Sequence, residues 1–280
     1  MRIQNKMLSE FASLVDSGEV RPFSGNLKVG VDLGTSNIVV SVIDSKNYPI
    51  AGMTIPSTVV KDGIVVDYVG AIRSLKYIKG TLEKKLGISI TQVATAIPPG
   101  ISAENIRCIS NCVEGAEWEV THIVDEPTAA ADLLNIQNGA VVDVGGGTTG
   151  ISILHNGKVV YTADEPTGGT HMTWVLAGYY GVSFAEAEII KKDKKREKEV
   201  FSLVCPVIEK MAGITAKCIL GKNIKKLYVV GGACSFMEFE KVFGKIVPVE
   251  IYKTNDSLFV TPLGIAMSQR VEGNYDNRNR

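Results

Sequence analysis

The sequence predicts an α/β protein made of two similar halves that face each other across a cleft. Two observations carry this. VGVDLGTSNIVVSVI (29–43) and VVDVGGGTTGISIL (141–154) share one plan: an apolar run, an Asp, a Gly- and Thr-bearing turn, and a second apolar run. Such self-similarity marks a repeated fold unit, with Asp32 and Asp143 in corresponding places. Around these segments, short β-rich runs bounded by turn residues alternate with stretches of helical period. A chain of 280 residues, 45% of them hydrophobic, has the material for one large domain or two ordinary ones.

The elements follow in order. Met7, Leu8, Phe11, Leu14 and Val15 recur at helical spacing before Gly18, so a short amphipathic helix is expected there, packed on the body. Leu27–Val31 and Ile38–Ile43 are β-rich and flank DLGTSN, which predicts a hairpin. YPIAGMTIPSTVV continues extended, then turns at Lys61-Asp62-Gly63 into IVVDY. Val69 to Leu86 has helical period with Gly87 as its stop. TQVATAIPPG reads as a strand, Ala103–Glu114 as a helix, EVTHIVDEP as a strand and TAAADLLN as a helix start. GAVVDVGGGTTGISILHNGKVVYTADEP holds two or three strands. GGTHMTWVLAGYYG is helical to about Tyr180, and SFAEAEIIKKDKKREKEV starts another helix, acidic first and basic later. FSLVCPVIEKMAGITAKCIL reads as an amphipathic helix with Pro206 in its first turn. KKLYVVGGACSFMEFEKVF gives strand, Gly-Gly turn and helix. EIYK is a strand, and TPLGIAMSQRVEG is a closing helix entered through Pro262. The final NYDNRNR is polar and expected to be disordered. The division that follows is residues 1–26 as an N-terminal helical extension, 27–139 with 262–280 as one domain, and 140–261 as the other.

Composition excludes several classes. Thirty basic and thirty acidic residues cancel, which argues against nucleic acid and anionic membranes as partners and leaves little repulsion to oppose self-association. Five cysteines at irregular spacing, with no CxxC, fit reduced thiols rather than a disulfide framework or a zinc site. No apolar run reaches the ~18 residues of a membrane span, and MRIQNKMLSEFASLVDSG lacks the pattern of a signal peptide.

The glycines pose the functional question. A Gly inside an element costs roughly 0.5–1 kcal/mol relative to Ala, so three in a row at a strand end need a reason. Phosphate supplies one, because it wants backbone N–H groups and hydroxyls with no side chain in the way. DLGTSN offers Asp32 to a hydrated magnesium and Gly34, Thr35, Ser36 and Asn37 to phosphates. DVGGGTTG offers Asp143 with Gly145, Gly146, Gly147, Thr148 and Thr149. DEPTAAA places Glu126 before Pro127 at a strand-to-helix junction, where a carboxylate can polarise water or simply cap the helix. VVGGACS puts Gly231, Gly232 and Ala233 at a strand end that suits an adenosine slot. Each turn alone also fits an ordinary hairpin. There is no GxxxxGK[ST] and no GxGxxG after the first strand.

DLGT, DEPTAAA, DVGGGTT and VVGGAC, in this order, resemble the actin-like ATPase superfamily of actin, Hsp70 chaperones and sugar kinases, over about residues 27–268. The resemblance implies the two-domain actin-like fold, of ribonuclease H-like repeats around a nucleotide cleft, with ATP or ADP and Mg2+ as ligands. It implies Asp32 and Asp143 as the magnesium-holding pair and Glu126 as the water-orienting carboxylate. It adds Gly168, Gly169 and Thr170 as a further phosphate-side turn, and Glu188 and Lys191, in AEIIK, as ribose contacts. KDGIVVDY is similar to a segment of the bacterial shape-determining and pilus-assembly members. KDGIVVDYVGAI, ADEPTGGTHMT and SLFVTPLGIA are similar to the branch that serves ethanolamine utilisation. That likeness implies a cytoplasmic chaperone-type protein, associated with a bacterial microcompartment, that assists or reactivates a pathway enzyme or shell component through ATP-dependent domain movement. The alternative is a nucleotide-gated adaptor or filament-forming relative with little turnover. A small-molecule kinase is disfavoured: the Hsp70 pattern carries an Asp where this chain has Gly150. For the catalytic lysine of the Hsp70 branch, Arg73 and Lys76 are the candidates.

Overall fold

The computed structural model describes residues 1–269. β1 (Arg2–Ile3) leads into α1 (Lys6–Ser17), whose first turn is capped by the Asn5 side chain and whose end is the left-handed Gly18. A meander follows, β2 (Leu27–Leu33), β3 (Asn37–Asp44) and β4 (Pro49–Pro56), then a small hairpin, β5 (Val60–Lys61) and β6 (Ile64–Val65). The helix α2 (Tyr68–Leu86) stops at left-handed Gly87, as its period predicts. β7 (Gln92–Ile97), α3 (Ala103–Gly115), β8 (Glu119–Asp125) and α4 (Glu126–Leu133) complete the first half.

The second half repeats the meander with β9 (Gly139–Val144), β10 (Thr149–His155) and β11 (Lys158–Glu165). Three helices come next: α5 (Gly169–Tyr180), α6 (Phe184–Lys192) and α7 (Glu197–Ile219). β12 (Lys226–Val230), α8 (Phe239–Ile246), β13 (Glu250–Thr254) and α9 (Val260–Ser268) close the described chain. α7 departs from expectation at one point. It starts at Glu197, so Pro206 lies in its interior rather than its first turn. Glu197 and Glu199 favour the earlier start, and the helix bears the Pro because its apolar face, from Val200 through Ile219, is buried. The polar NYDNRNR tail lies outside the described residues.

The two sheets show the repeat. One runs β4-β3-β2-β7-β8, the other β1-β13-β12-β9-β10-β11. In each, a three-strand antiparallel meander is extended by parallel strands from its first member, β7 and β8 beside β2, and β12 and β13 beside β9. Asp32 and Asp143 therefore end equivalent strands. α2 and α3 bury Leu75, Ile78 and Val113 against the first sheet. α5, α7 and α8 bury Met172, Val204 and Phe243 against the second. A third cluster lies between the halves, where α4 and α9 meet and α1 joins them through Leu8 and Phe11. α4 and α9 touch backbone to backbone: a Cβ at Gly264 would run into the Ala129 carbonyl. Among the described residues no helix is long and apolar enough to cross a membrane.

Candidate functional site

The two predicted turns close in the same way. Gly34 N–H donates to the Asn37 carbonyl at 3.1 Å, and Gly145 N–H donates to the Thr148 carbonyl at 3.0 Å. The turns meet across the halves. A Cβ at Gly146 would run into Ser36 Oγ, and one at Gly147 would lie 2.9 Å from Thr35 Oγ1. A third turn docks on the second: Gly169 and Thr170 donate to the Gly145 and Gly146 carbonyls at 2.9 and 2.7 Å.

These turns form one end of a cleft of about 400 Å³. Asp32, Glu126 and Asp143 line it, with Gly34, Thr35, Ser36 and Asn37 on one side and Gly145, Gly146, Gly147 and Thr148 on the other. Gly169, Glu188, Lys191, Gly231, Gly232 and Ala233 line the rest. Three predicted residues stand behind the wall. Thr149 is fully buried with its hydroxyl on the Thr167 carbonyl. Gly168 caps α5, and Thr170 holds the neighbouring turn.

Local chemistry explains each placement. Asp125 caps α4 by accepting from Thr128 N–H at 3.0 Å, and Pro127 follows in the first turn, where its missing N–H costs nothing. Glu126 is thereby held at the start of the helix, facing the other half. Gly231 has φ 93°, a left-handed conformation, and a Cβ there would run into Asp143 Oδ1. Lys191 Nζ sits 2.6 Å from Glu188 Oε2 and donates to Thr173 Oγ1 at 2.6 Å and to the Gly169 carbonyl at 3.1 Å. Burial pushes the Lys191 ammonium down and the Glu188 charge opposes it.

The carboxylates crowd each other. Burial pushes Asp32 up to about 7, with the Asp143 charge adding to it. Burial, then the charges of Asp143 and Asp32, push Glu126 well above the usual carboxylate range. Burial raises Asp143 too, against a 2.5 Å hydrogen bond from Thr261 Oγ1. Such a group is relieved by a cation. Its hard oxygens fit Mg2+, which keeps several waters and needs few direct carboxylate ligands. Among the described residues no three His, Cys, Asp or Glu side chains are grouped to cage an ion directly.

Sequence reasoning missed some residues and misplaced others. Lys76 lies on α2, paired with Glu117 at 2.8 Å, and neither it nor Arg73 lines the cleft. The tip of the β5–β6 hairpin does reach it: Asp62 N would lie 3.0 Å from a Cβ on Gly147. Thr261 lies in the quoted TPLG run, but its partner is far away in sequence. Asp164, in ADEPTGG, pairs by register with Gly150, which in turn pairs with Asp143. A carboxylate thus stands opposite the position where the Hsp70 pattern carries one. Burial pushes Asp164 up to about 6, with the Thr148 hydroxyl opposing.

Comparison with known proteins agrees with this fold. The MreB/Mbl protein family profile matches residues 52–185, and that of cell division protein FtsA matches residues 140–267. The chain is 44% identical over 252 residues to the ethanolamine utilization protein EutJ of Salmonella typhimurium, covering 89% of this chain and 88% of that one. The crystal structure of EutJ from Carboxydothermus hydrogenoformans superposes with a TM-score of 0.89 at 45% identity, over 94% of this chain and 97% of the other. MreB5 of Spiroplasma citri bound to ADP superposes with a TM-score of 0.69 at 19% identity, over 86% and 95% of the two chains, and so shares the fold. With two matched half-folds meeting at an acidic cleft, and with this identity across most of its length, the chain belongs to the EutJ family of ethanolamine utilization proteins, built on the actin-like ATPase fold.

Proposed function

We propose that the protein is an Hsp70-like, chaperone-type ATP-binding factor of ethanolamine utilisation that changes the angle between its halves with nucleotide state. A protein partner, a pathway enzyme or a shell component of the microcompartment, reads that angle. The observation that carries this reading is the meeting of Ser36 and Gly146, one phosphate-type turn from each half, beside the buried Asp143 and the half-buried Asp32 and Glu126. The ADP-bound MreB5 structure, on the same fold, supports it.

In this reading the N–H groups and hydroxyls of residues 34–37 and 145–148 bracket the phosphates. Gly168, Gly169 and Thr170 brace the second bracket. Glu188 and Lys191 face the ribose, and Gly231, Gly232 and Ala233 face the base. Asp32 and Asp143 hold hydrated Mg2+, which when bound offsets the phosphate charge. Glu126 orients the attacking water. A second reading, a nucleotide-gated adaptor with little turnover, is favoured by one observation: neither Arg73 nor Lys76 reaches the cleft.

Calorimetry of Mg-ATP on the wild type and Asp143→Ala, followed by phosphate release on the wild type and Glu126→Ala, tests both. Binding weakened by the first substitution and turnover abolished by the second support the ATP-driven factor. Binding without turnover supports the adaptor, and absence of binding overturns both.

A further inference from the structure

Residues 1–18 touch both halves. β1 adds a parallel strand to the outer edge of the second half's sheet, Arg2 opposite Lys253 and Ile3 opposite Thr254. Asn5 N–H donates to Asn255 Oδ1 at 2.8 Å, and Asn255 Nδ2 returns a bond to the Asn5 carbonyl. α1 then crosses to the first half. The Phe11 ring occupies the space above Gly52 of β4, where a Cβ would collide with it. Lys85 Nζ, from α2, donates to the Gly18 carbonyl at 2.7 Å, and Arg21 N–H donates to the Ile50 carbonyl at 2.9 Å.

The same helix seats on the segment that joins the halves. Phe11 packs edge-on against Phe259, ring centroids 5.2 Å apart. Beside Phe259 are Leu258, which lines the cleft, and Thr261, which holds Asp143. Leu8 and Phe11 are fully buried, so the apolar face of α1 is spent on this chain and not offered to a membrane or partner.

A polar path also runs from β1 to the cleft wall. Arg2 Nε meets Glu240 Oε1 at 2.9 Å. Glu240 Oε2 lies 3.1 Å from Lys253 Nζ, an ion pair off the line of a hydrogen bond. Lys253, 5% exposed, donates to the Cys234 carbonyl at 3.2 Å and to the Phe236 carbonyl. Those carbonyls belong to the loop after Gly231-Gly232, whose Ser235 and Phe236 line the cleft. Burial pushes the Glu240 carboxyl up, and Arg2 and Lys253 outweigh it and hold it below the usual range. Arg2 Nη2 also donates to the Met237 carbonyl at the end of that loop. Undocking β1 therefore removes one of the two cations on Glu240 and a bond to the loop itself, and the loop's position depends on β1 staying docked.

We propose that residues 1–18 are a tie between the halves, and that Arg2, Glu240 and Lys253 are positioning residues that transmit its docking to the base-side wall of the cleft. Release of nucleotide then depends on the tie. This rests on the nucleotide reading above, but the tie itself can be tested without ligand.

The test uses the full chain as wild type, Arg2→Ala, Arg2→Lys, Glu240→Gln and Phe11→Ala. Two quantities are read: amide hydrogen exchange at residues 233–236 and 257–261 without nucleotide, and dissociation of N-methylanthraniloyl-ADP with Mg2+ by stopped flow. Arg2→Ala is expected to speed exchange at 233–236 and dissociation by about five- to tenfold each, Glu240→Gln to move both the same way, and Arg2→Lys to restore both. Phe11→Ala is expected to speed exchange both at 50–55 in β4 and at 257–261. Unchanged exchange at 233–236 in Arg2→Ala overturns the proposal, as does faster exchange with unchanged dissociation. Phe11→Ala effects confined to β4 also overturn it. A wild type that binds no fluorescent ADP sinks the nucleotide reading and with it the control of release, while the exchange comparison still decides whether the tie exists.

Discussion

Thr261 Oγ1 donates to Asp143 Oδ2 at 2.5 Å, joining the first turn of α9 to the end of β9 across 118 positions of sequence. This bond fixes one rotamer of the carboxylate that faces both Asp32 and Glu126. It also opposes the burial that pushes Asp143 up. Thr261→Val keeps the shape and deletes the donor. We expect it to weaken Mg-ATP binding by about 10- to 100-fold, on the scale of about 1.5–3 kcal/mol for a hydrogen bond to a charged group. Calorimetry checks this, with ATP alone as the magnesium-free comparison.

The Ser36–Gly146 approach leads to a second expectation. Gly146→Ala must displace the turn of the opposite half, so nucleotide affinity should fall by at least about tenfold with little change in either separate core. The double variant Gly146→Ala, Ser36→Gly removes the collision with the side chain and should bind no more weakly than Ser36→Gly alone, which lacks the hydroxyl but keeps the turns together. If the two substitutions simply add, the turns do not act as a pair.

Glu126 separates binding from chemistry. Glu126→Gln keeps the size of the side chain and its place at the start of α4. Phosphate release, where the wild type shows it, should fall by about 10²- to 10⁴-fold, while Mg-ATP is still bound. Equal losses in both would mean that Glu126 holds ligand rather than water.

Asp32 makes stability depend on pH with a definite sign. Its folded value is about 7 against an ordinary 3.8. Between those values the folded chain keeps a proton that the unfolded chain has released, so the unfolded state is favoured as pH rises from about 4 through 7. Asp32→Asn cannot ionise and escapes this. In urea melts without divalent cation, the variant should match the wild type near pH 4 and exceed it at pH 8. The gain is on the scale of about 1.4 kcal/mol for each tenfold difference in proton affinity between the folded and unfolded chains. A variant whose stability relative to wild type is the same at both pH values would show that Asp32 binds its proton no more tightly in the folded chain.

Local chemistry made much of this legible. The left-handed glycines at 18 and 87 end helices whose apolar period is clear, and the two Asp–Gly–Thr turns announce equivalent strand ends. What stayed hidden depends on pairing between distant segments. β1 is too short to read as a strand, and its partner β13 lies about 250 positions away. Asp164 joins the carboxylate group only because the β10–β11 register sets it opposite Gly150. Arg73 and Lys76 follow the helical period of α2, and that period says nothing about which way the whole helix faces. Pro206 suggested a helix start because local preference was weighed without the buried face that outweighs it.

The seam between α4 and α9 has a mechanical consequence. Its closest point is a glycine against a carbonyl, with Ala129, Ala130, Ala131 and Ala266 packed around it alongside Leu133, Leu263 and Ile265. Helices that mesh through large side chains resist rotation like gears. A seam whose closest approach is backbone on backbone acts instead as a bearing, letting the two sheets swing about the Gly264–Ala129 contact. One added methyl at Gly264 would act as a shim in that bearing and set a wider resting angle, which makes position 264 a gauge of how far apart the halves stand.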